Sequence, residues 1–327
     1  PLFGLVFSIV IYMSIGPFYG IPRAASVGYE LGFAQVVGID NSIALFLFTL
    51  VFFGVAYLIS MSPHRIIDNI GKILTPALLL VLTILFVRAY FFYETVSTPI
   101  SPKYEATPYL TGFLEGYFTM DAIAALAFGI VIVNSLRMKG ATTNRSVIRG
   151  TLGAGIVAAI GLAIVYLSLG WIGRVLPRDV EFNNGAEILT FASQQLFSTG
   201  GSVLFGLIVL LACLTTVIGL ITAVSQFFVE ILPKFSYKTY ALIFTLIGLF
   251  FTNFGLNTIL AVATPLLVFV YPGAIVLVLL SIAQDFIGES RLMYVLSVPV
   301  AVLFGLYDAF AALELVSPEF SKSLSFI

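Results

Sequence analysis

The stretch GYFTMDAIAALAFGIVIVN, Gly116 to Asn134, sets a carboxylate, Asp121, inside an apolar run with glycines on both sides. If the run is a membrane helix, a charge that deep costs roughly 2.5–3.5 kcal/mol on insertion scales. Something must offset that cost: a buried cation, freed backbone donors, or a proton that neutralises the acid. The choice separates a passive hydrophobic bundle from a machine that moves a solute.

The rest of the chain settles the solvent. Hydrophobic residues make up 60% of the 327 and charged residues 9%, against about 45–50% and about 25% in soluble domains. The chain reads as an integral membrane protein embedded in a lipid bilayer. No basic block suggests nucleic acid. The single Cys213 excludes a disulfide framework or a cysteine metal cluster, and the single His64 sits beside Pro63 and Arg65 in what reads as a polar connection. With about 20 apolar residues per crossing, nine spans emerge, near 2–31, 42–61, 71–92, 111–136, 147–171, 202–231, 237–253, 257–284 and 292–312. They do not alternate apolar with polar residues as barrel strands do, so the fold class is an all-α polytopic membrane protein.

Connections after the even-numbered spans hold Arg65, Lys72, Arg137, Lys139, Arg145, Arg149, Lys234, Lys238 and Arg291, against Arg88, Lys103, Arg174, Arg178 and Lys322 on the other side. The basic side is expected to be cytoplasmic. The longer connections 93–110 and 172–201 then face outward. The chain opens on Pro1 without a leader and ends soon after a span, which suggests a fragment. LFGLV (Leu2 to Val6) and LFGLI (Leu204 to Ile208), each leading to a glutamate, Glu30 and Glu230, hint at an inverted repeat of the kind secondary transporters use.

Three spans carry breaks: the first at GPFYGIPR with Pro17 and Pro22, the fourth around Gly112, Gly116 and Gly129, and the eighth at ATPLLVFVYPG with Pro265 and Pro272. Such residues often serve only close packing. A break beside an acid is different, because irregular backbone at membrane depth needs protein or a water-filled cavity around it. Asp121 reads as part of a charge or gating network with Arg23, the only basic residue deep in a span. Glu30, two turns after Arg23 on the same face, competes for it. On the sixth span, Ala212, Thr215 and Thr216 share a helix face. A carbonyl and two hydroxyls suit a small hard cation, but a threonine also bonds back to the carbonyl one turn earlier, and both readings stand. GxSxG, HExxH, CxxC and GxxxxGK[ST] are absent, so the chain is not expected to be an enzyme.

Three stretches carry a resemblance: YMSIGPFYGIPRAASVGYELG, GYFTMDAIAALAFGIVIVNSLRMKG and ACLTTVIGLITAVSQFF, with NGAEIL (Asn184 to Leu189) in support. Together they resemble the bacterial branched-chain amino acid:cation symporter family. The resemblance implies an inverted-repeat, LeuT-type transporter core of five plus five helices, with nine transmembrane helices present here. Residues 1–92 would be the remainder of the first repeat (family helices three to five) and 93–110 an extracytoplasmic loop. Residues 111–284 would be the second repeat (helices six to ten), and 285–327 helix eleven with its trailing segment. It further implies that the first two helices and the last are missing, and with the first helix half of the site.

The resemblance implies sodium-coupled uptake of leucine, isoleucine and valine by alternating access across the bacterial cytoplasmic membrane, with no cofactor and Na+ as coupling ion. Substrate contacts would come from Tyr12, Phe118, Thr119 and Leu220. Sodium would be held by Ala212, Thr215 and Thr216. Arg23, Glu30 and Asp121 would form the gating or charge network. Two alternatives stay open: a related carrier driven by protons or taking another small amino acid, and an inert truncated product.

Overall fold

The computed structural model describes residues 2–39, 41–61, 63–93, 102–117, 119, 121–176, 182–197, 199–288, 291–313 and 315. Helix is the one regular structure among them, which agrees with the all-α reading.

Helix α1 (Leu2–Met13) gives way to a π-helical turn, Ser14–Phe18, in which Gly16 leaves helical geometry (φ −86°, ψ −114°). Pro17 offers no amide to continue the ladder there. The chain resumes as α2 (Gly20–Val27), widens into a second π-helical segment, Gly28–Ala34, and ends with α3 (Gln35–Val37) at Gly38, φ 72°. Pro22 falls in the first turn of α2, where its missing N–H costs no bond. The first span therefore bends where GPFYGIPR predicts.

Helix α4 (Ser42–Ser60) starts under an Asn41 cap that accepts from the Ala44 amide at 2.8 Å. Helix α5 (Pro63–Phe92) begins at a proline, pre-set for the first helical position. The stretch around His64 is thus the first turn of a helix and not the connection the sequence suggested.

Next come α6 (Pro102–Glu105), α7 (Pro108–Tyr117) and α8 (Asp121–Met138), then α9 (Asn144–Val175) under a Thr143 cap. Helix α10 (Gly185–Leu196) lies inside the long connection 172–201. Helices α11 (Thr199–Ile231), α12 (Tyr237–Thr252), α13 (Leu256–Ile287) and α14 (Arg291–Ala312) complete the chain. The eighth span differs from expectation: α13 runs unbroken through Pro265 and Pro272, since membrane helices re-satisfy the freed carbonyls with neighbours or local adjustment.

Eight helices among the described residues are long and apolar enough to cross a membrane, or nine if α12 and Leu256–Val262 count as one bent span. Their surfaces fit lipid. Along α9, Val157 is 73% exposed and Leu167 76% exposed, a display that water would penalise and hydrocarbon does not. The chain is a multi-pass membrane protein.

The chain divides into two compact units. One comprises Gly16–Thr98 and Phe128–Asn257 and is organised around α11, which packs against α2, the Gly28–Ala34 segment, α3, α4, α5 and α12. Glycines set the closest approaches. A Cβ on Gly206 would stand 2.8 Å from the Leu31 carbonyl oxygen, and one on Gly32 would stand 2.7 Å from Leu210 Cβ. Gly28 faces Cys213 and Gly16 faces Val224, so partner numbers fall as positions rise and the two segments run antiparallel. Small residues that let backbones touch are the usual means of helix association in lipid.

The other unit comprises Pro1–Ile15, Pro99–Ala127 and Thr258–Ile327. Within it α13 and α14 meet at Gly305, where a Cβ would stand 2.5 Å from the Phe269 carbonyl oxygen and 3.3 Å from the Pro272 ring. Gly273 rests against Phe7 of α1 and Val302 of α14.

Candidate functional site

The opening stretch is broken. Helix α7 stops at Tyr117 and α8 starts at Asp121, with Thr119 in a bend between them. Phe118, the neighbouring substrate candidate, lies outside the described residues. Every helix C-terminus leaves carbonyls without intrahelical partners. Here the Gly116 carbonyl takes two hydrogens from one residue, the Thr119 hydroxyl at 2.8 Å and the Thr119 amide at 3.3 Å. Asp121 occupies the first turn of α8, where the partial positive charge of the helix N-terminus favours a carboxylate. This is one answer to the cost of that charge: the backbone opened to meet it.

Two tyrosines from other helices of the same unit reach this region. Tyr12, on α1, is buried and donates its hydroxyl hydrogen to the Ala127 carbonyl of α8 at 3.3 Å. Tyr271, on α13, is 1% exposed. Its ring lies 5.1 Å from that of Tyr117, the last residue of α7. The sequence reading missed Tyr271. The available signal was a phenol just before a proline in an otherwise apolar run.

The triad on α11 takes the local arrangement. Thr215 and Thr216 both donate to the Ala212 carbonyl, at 2.8 Å and 2.9 Å. Three oxygens therefore lie together on one face of an unbroken helix. Each hydroxyl has used its hydrogen and keeps two lone pairs. Leu220, four residues past Thr216, is buried in the same helix. Among the described residues no three His, Cys, Asp or Glu side chains converge as a metal site.

Arg23 points back along α2. Its guanidinium donates to the Tyr19 hydroxyl at 3.0 Å and lies 5.4 Å from that ring's centre, so a phenol one turn away receives the charge. Glu30 is half-buried in the Gly28–Ala34 segment. Tyr12, Thr119 and Asp121 fall in one unit, and Arg23, Glu30, Ala212, Thr215, Thr216 and Leu220 in the other.

Sequence reasoning also missed a polar seam beside α10. Gln35 donates to Ser193 at 2.7 Å, Ser202 donates to the Ser193 carbonyl at 3.0 Å, and Asn184 donates to Asn257 at 2.9 Å. Asn184 also caps α10 by accepting from the Ala186 and Glu187 amides, which gives the NGAEIL stretch a structural reason.

Comparison with known proteins places the chain. The family model described as "Branched-chain amino acid transport protein" matches residues 1–326. The branched-chain amino acid permease BraB of Bacillus subtilis (strain 168) is 38% identical over 314 residues, 95% of this chain and 71% of the relative. A Staphylococcus aureus (strain MRSA252) protein described as a putative branched-chain amino acid carrier is 37% identical over 337 residues, 99% of this chain and 75% of the relative. These are transport proteins and not enzymes. With a model match over nearly its whole length, and apolar helices that include one broken beside an acid, the chain belongs to the branched-chain amino acid transport protein family.

Proposed function

We propose that the protein is a secondary transporter that takes up leucine, isoleucine and valine with sodium across the bacterial cytoplasmic membrane. The observation that carries this reading is the α7–α8 break, which leaves polar backbone and Asp121 inside a span. An unbroken span has no free amides or carbonyls to offer a solute. A broken one presents a positive N-terminal end to a carboxylate and carbonyls to an ammonium group. Aliphatic walls then select branched side chains by size, and weakly among the three, because one methylene is worth roughly 1–3 kcal/mol.

Sodium is the proposed coupling ion because the Ala212 carbonyl and the Thr215 and Thr216 hydroxyls lie together on one face of α11, a hard-donor set suited to an alkali cation. The antiparallel contact of the first and sixth spans is compatible with an inverted-repeat, LeuT-type core, in which alternating access rocks one bundle against the rest. Tyr12, Phe118, Thr119 and Leu220 are the proposed substrate contacts, and Arg23, Glu30 and Asp121 the gating charges. A proton-driven carrier is the second reading, favoured by the intramembrane position of Asp121.

Labelled leucine uptake into proteoliposomes of the whole protein tests both. Uptake that follows an imposed sodium gradient supports symport with sodium. Uptake that ignores sodium and follows a pH gradient transfers the coupling to a proton. No uptake under either gradient removes the transport reading.

A further inference from the structure

One turn of α12 fastens the ends of two other helices. Tyr237, its first residue, donates its hydroxyl hydrogen to the carbonyl of Ser60, the last residue of α4, at 3.0 Å. Tyr240, one turn on and on the same face, donates to the Leu232 carbonyl, just past the end of α11, at 2.7 Å. Helix ends leave carbonyls without intrahelical partners, and Ser60 is fully buried, where an unmet carbonyl is costly. The two phenols differ in one respect. The Tyr237 oxygen also lies 3.4 Å from the Thr222 hydroxyl of α11, which gives its own hydrogen to the Ile218 carbonyl at 2.8 Å. Thr222 stands seven residues after Thr215, two turns along the same face of an unbroken helix.

We infer that Tyr237 is a positioning residue for transport, a tie that fixes the rotation of α11 against the end of α4 and with it the direction of the Ala212, Thr215 and Thr216 oxygens. The inference rests on the sodium-transport reading of that triad. An unbroken helix turns as one piece, so holding Thr222 beside the Ser60 carbonyl holds the face two turns away. Tyr237→Phe keeps the ring and removes the oxygen. The Ser60 carbonyl then loses that donor, and α11 loses its polar stop at Thr222. Tyr240→Phe removes a hydrogen bond from the same turn of α12 that involves neither α4 nor Thr222.

The test compares the two variants in proteoliposomes of the whole protein. With Tyr237→Phe the sodium concentration for half-maximal leucine uptake rises about threefold or more, while Vmax per folded protein stays within about twofold, the signature of lost positioning and not of lost structure. With Tyr240→Phe the sodium titration matches the parent, although thermal stability falls in both. A second measurement needs no transport: hydrogen exchange in the last turn of α4 speeds about threefold or more in Tyr237→Phe and not in Tyr240→Phe. An unchanged sodium titration in Tyr237→Phe, equal shifts in the two variants, or unchanged exchange at the end of α4 overturns the inference. If uptake by the parent ignores sodium, the sodium reading falls and takes the positioning role with it, while the exchange result still decides whether Tyr237 holds the end of α4.

Discussion

The α7–α8 stretch and α11 both carry polar residues inside apolar runs, and they solve that problem in opposite ways. Around Asp121 the backbone gives way: one helix ends at Tyr117, another begins at Asp121, and Thr119 donates to the Gly116 carbonyl between them. In α11 the backbone holds through 33 residues, and Thr215 and Thr216 fold their hydrogens onto the Ala212 carbonyl. The difference follows from charge and chain. A hydroxyl can be satisfied by local hydrogen bonds without loss to the ladder. A carboxylate has no donor within its own helix interior, and the nearest unused donors are at a helix N-terminus.

The packing of α11 uses close glycine contacts, so the largest effect expected comes from filling one. Gly206→Leu would drive side-chain atoms into the Leu31 and Gly32 carbonyls, whose oxygens already stand 2.8 Å and 3.3 Å from a bare Cβ. Carbonyl oxygens of a packed helix cannot swing aside as a side-chain tip can. The expected cost exceeds the ~1–3 kcal/mol of ordinary overpacking, and loss of monodisperse protein on size-exclusion chromatography checks it. In contrast, Gly112 and Gly116 of α7 have open space around them, and Gly112→Ala is expected to leave the yield unchanged.

Asp121→Asn comes next and bears on the broken region directly. It keeps the shape and removes the charge. If the acid serves transport, uptake falls at least about tenfold, ~1.4 kcal/mol. If its role is only to complement the α8 dipole, the loss is about 0.3–1 kcal/mol of stability with uptake intact. Uptake and thermal unfolding measured on the same preparation separate the two.

Much of this contrast was legible in the sequence. Composition and run length gave the membrane class and the spans, because burial in lipid demands apolar residues throughout a crossing. GPFYGIPR and the glycines around Asp121 located two bends. Pro265 and Pro272 suggested a third that α13 does not make, because a proline only removes one donor, and whether the helix yields depends on neighbours the local sequence does not name. Tyr271 was illegible for a related reason. Its ring contact with Tyr117 is made across more than a hundred positions of chain. Phe118 falls outside the described residues, so that substrate candidate stays where the sequence put it.

The α11 triad yields a smaller effect that depends on ion. Thr215→Val and Thr216→Val each remove one oxygen at nearly constant volume. If these oxygens hold sodium, the concentration for half-maximal uptake rises about tenfold, ~1.4 kcal/mol, with little change in Vmax. If they serve only the helix, uptake at every sodium concentration matches the parent. A sodium titration of initial uptake rates distinguishes these outcomes.

The smallest effect sharpens the comparison most, because it sets equivalent hydroxyls against each other. Thr119→Val removes one of two hydrogens that satisfy the Gly116 carbonyl and leaves the weaker one, the amide at 3.3 Å. Thr216→Val removes one of two hydroxyl hydrogens from the Ala212 carbonyl, which retains that of Thr215 at 2.8 Å and lies within a continuous helix. A hydrogen bond nets about 0.5–1.5 kcal/mol, and more is lost when its partner is left unsatisfied. Thr119→Val is therefore expected to destabilise by about 1 kcal/mol, and Thr216→Val by less than half of that. Thermal unfolding in one detergent, side by side, measures the difference. Equal shifts would mean that the Gly116 carbonyl finds another donor, and that the end of α7 is braced by something other than Thr119.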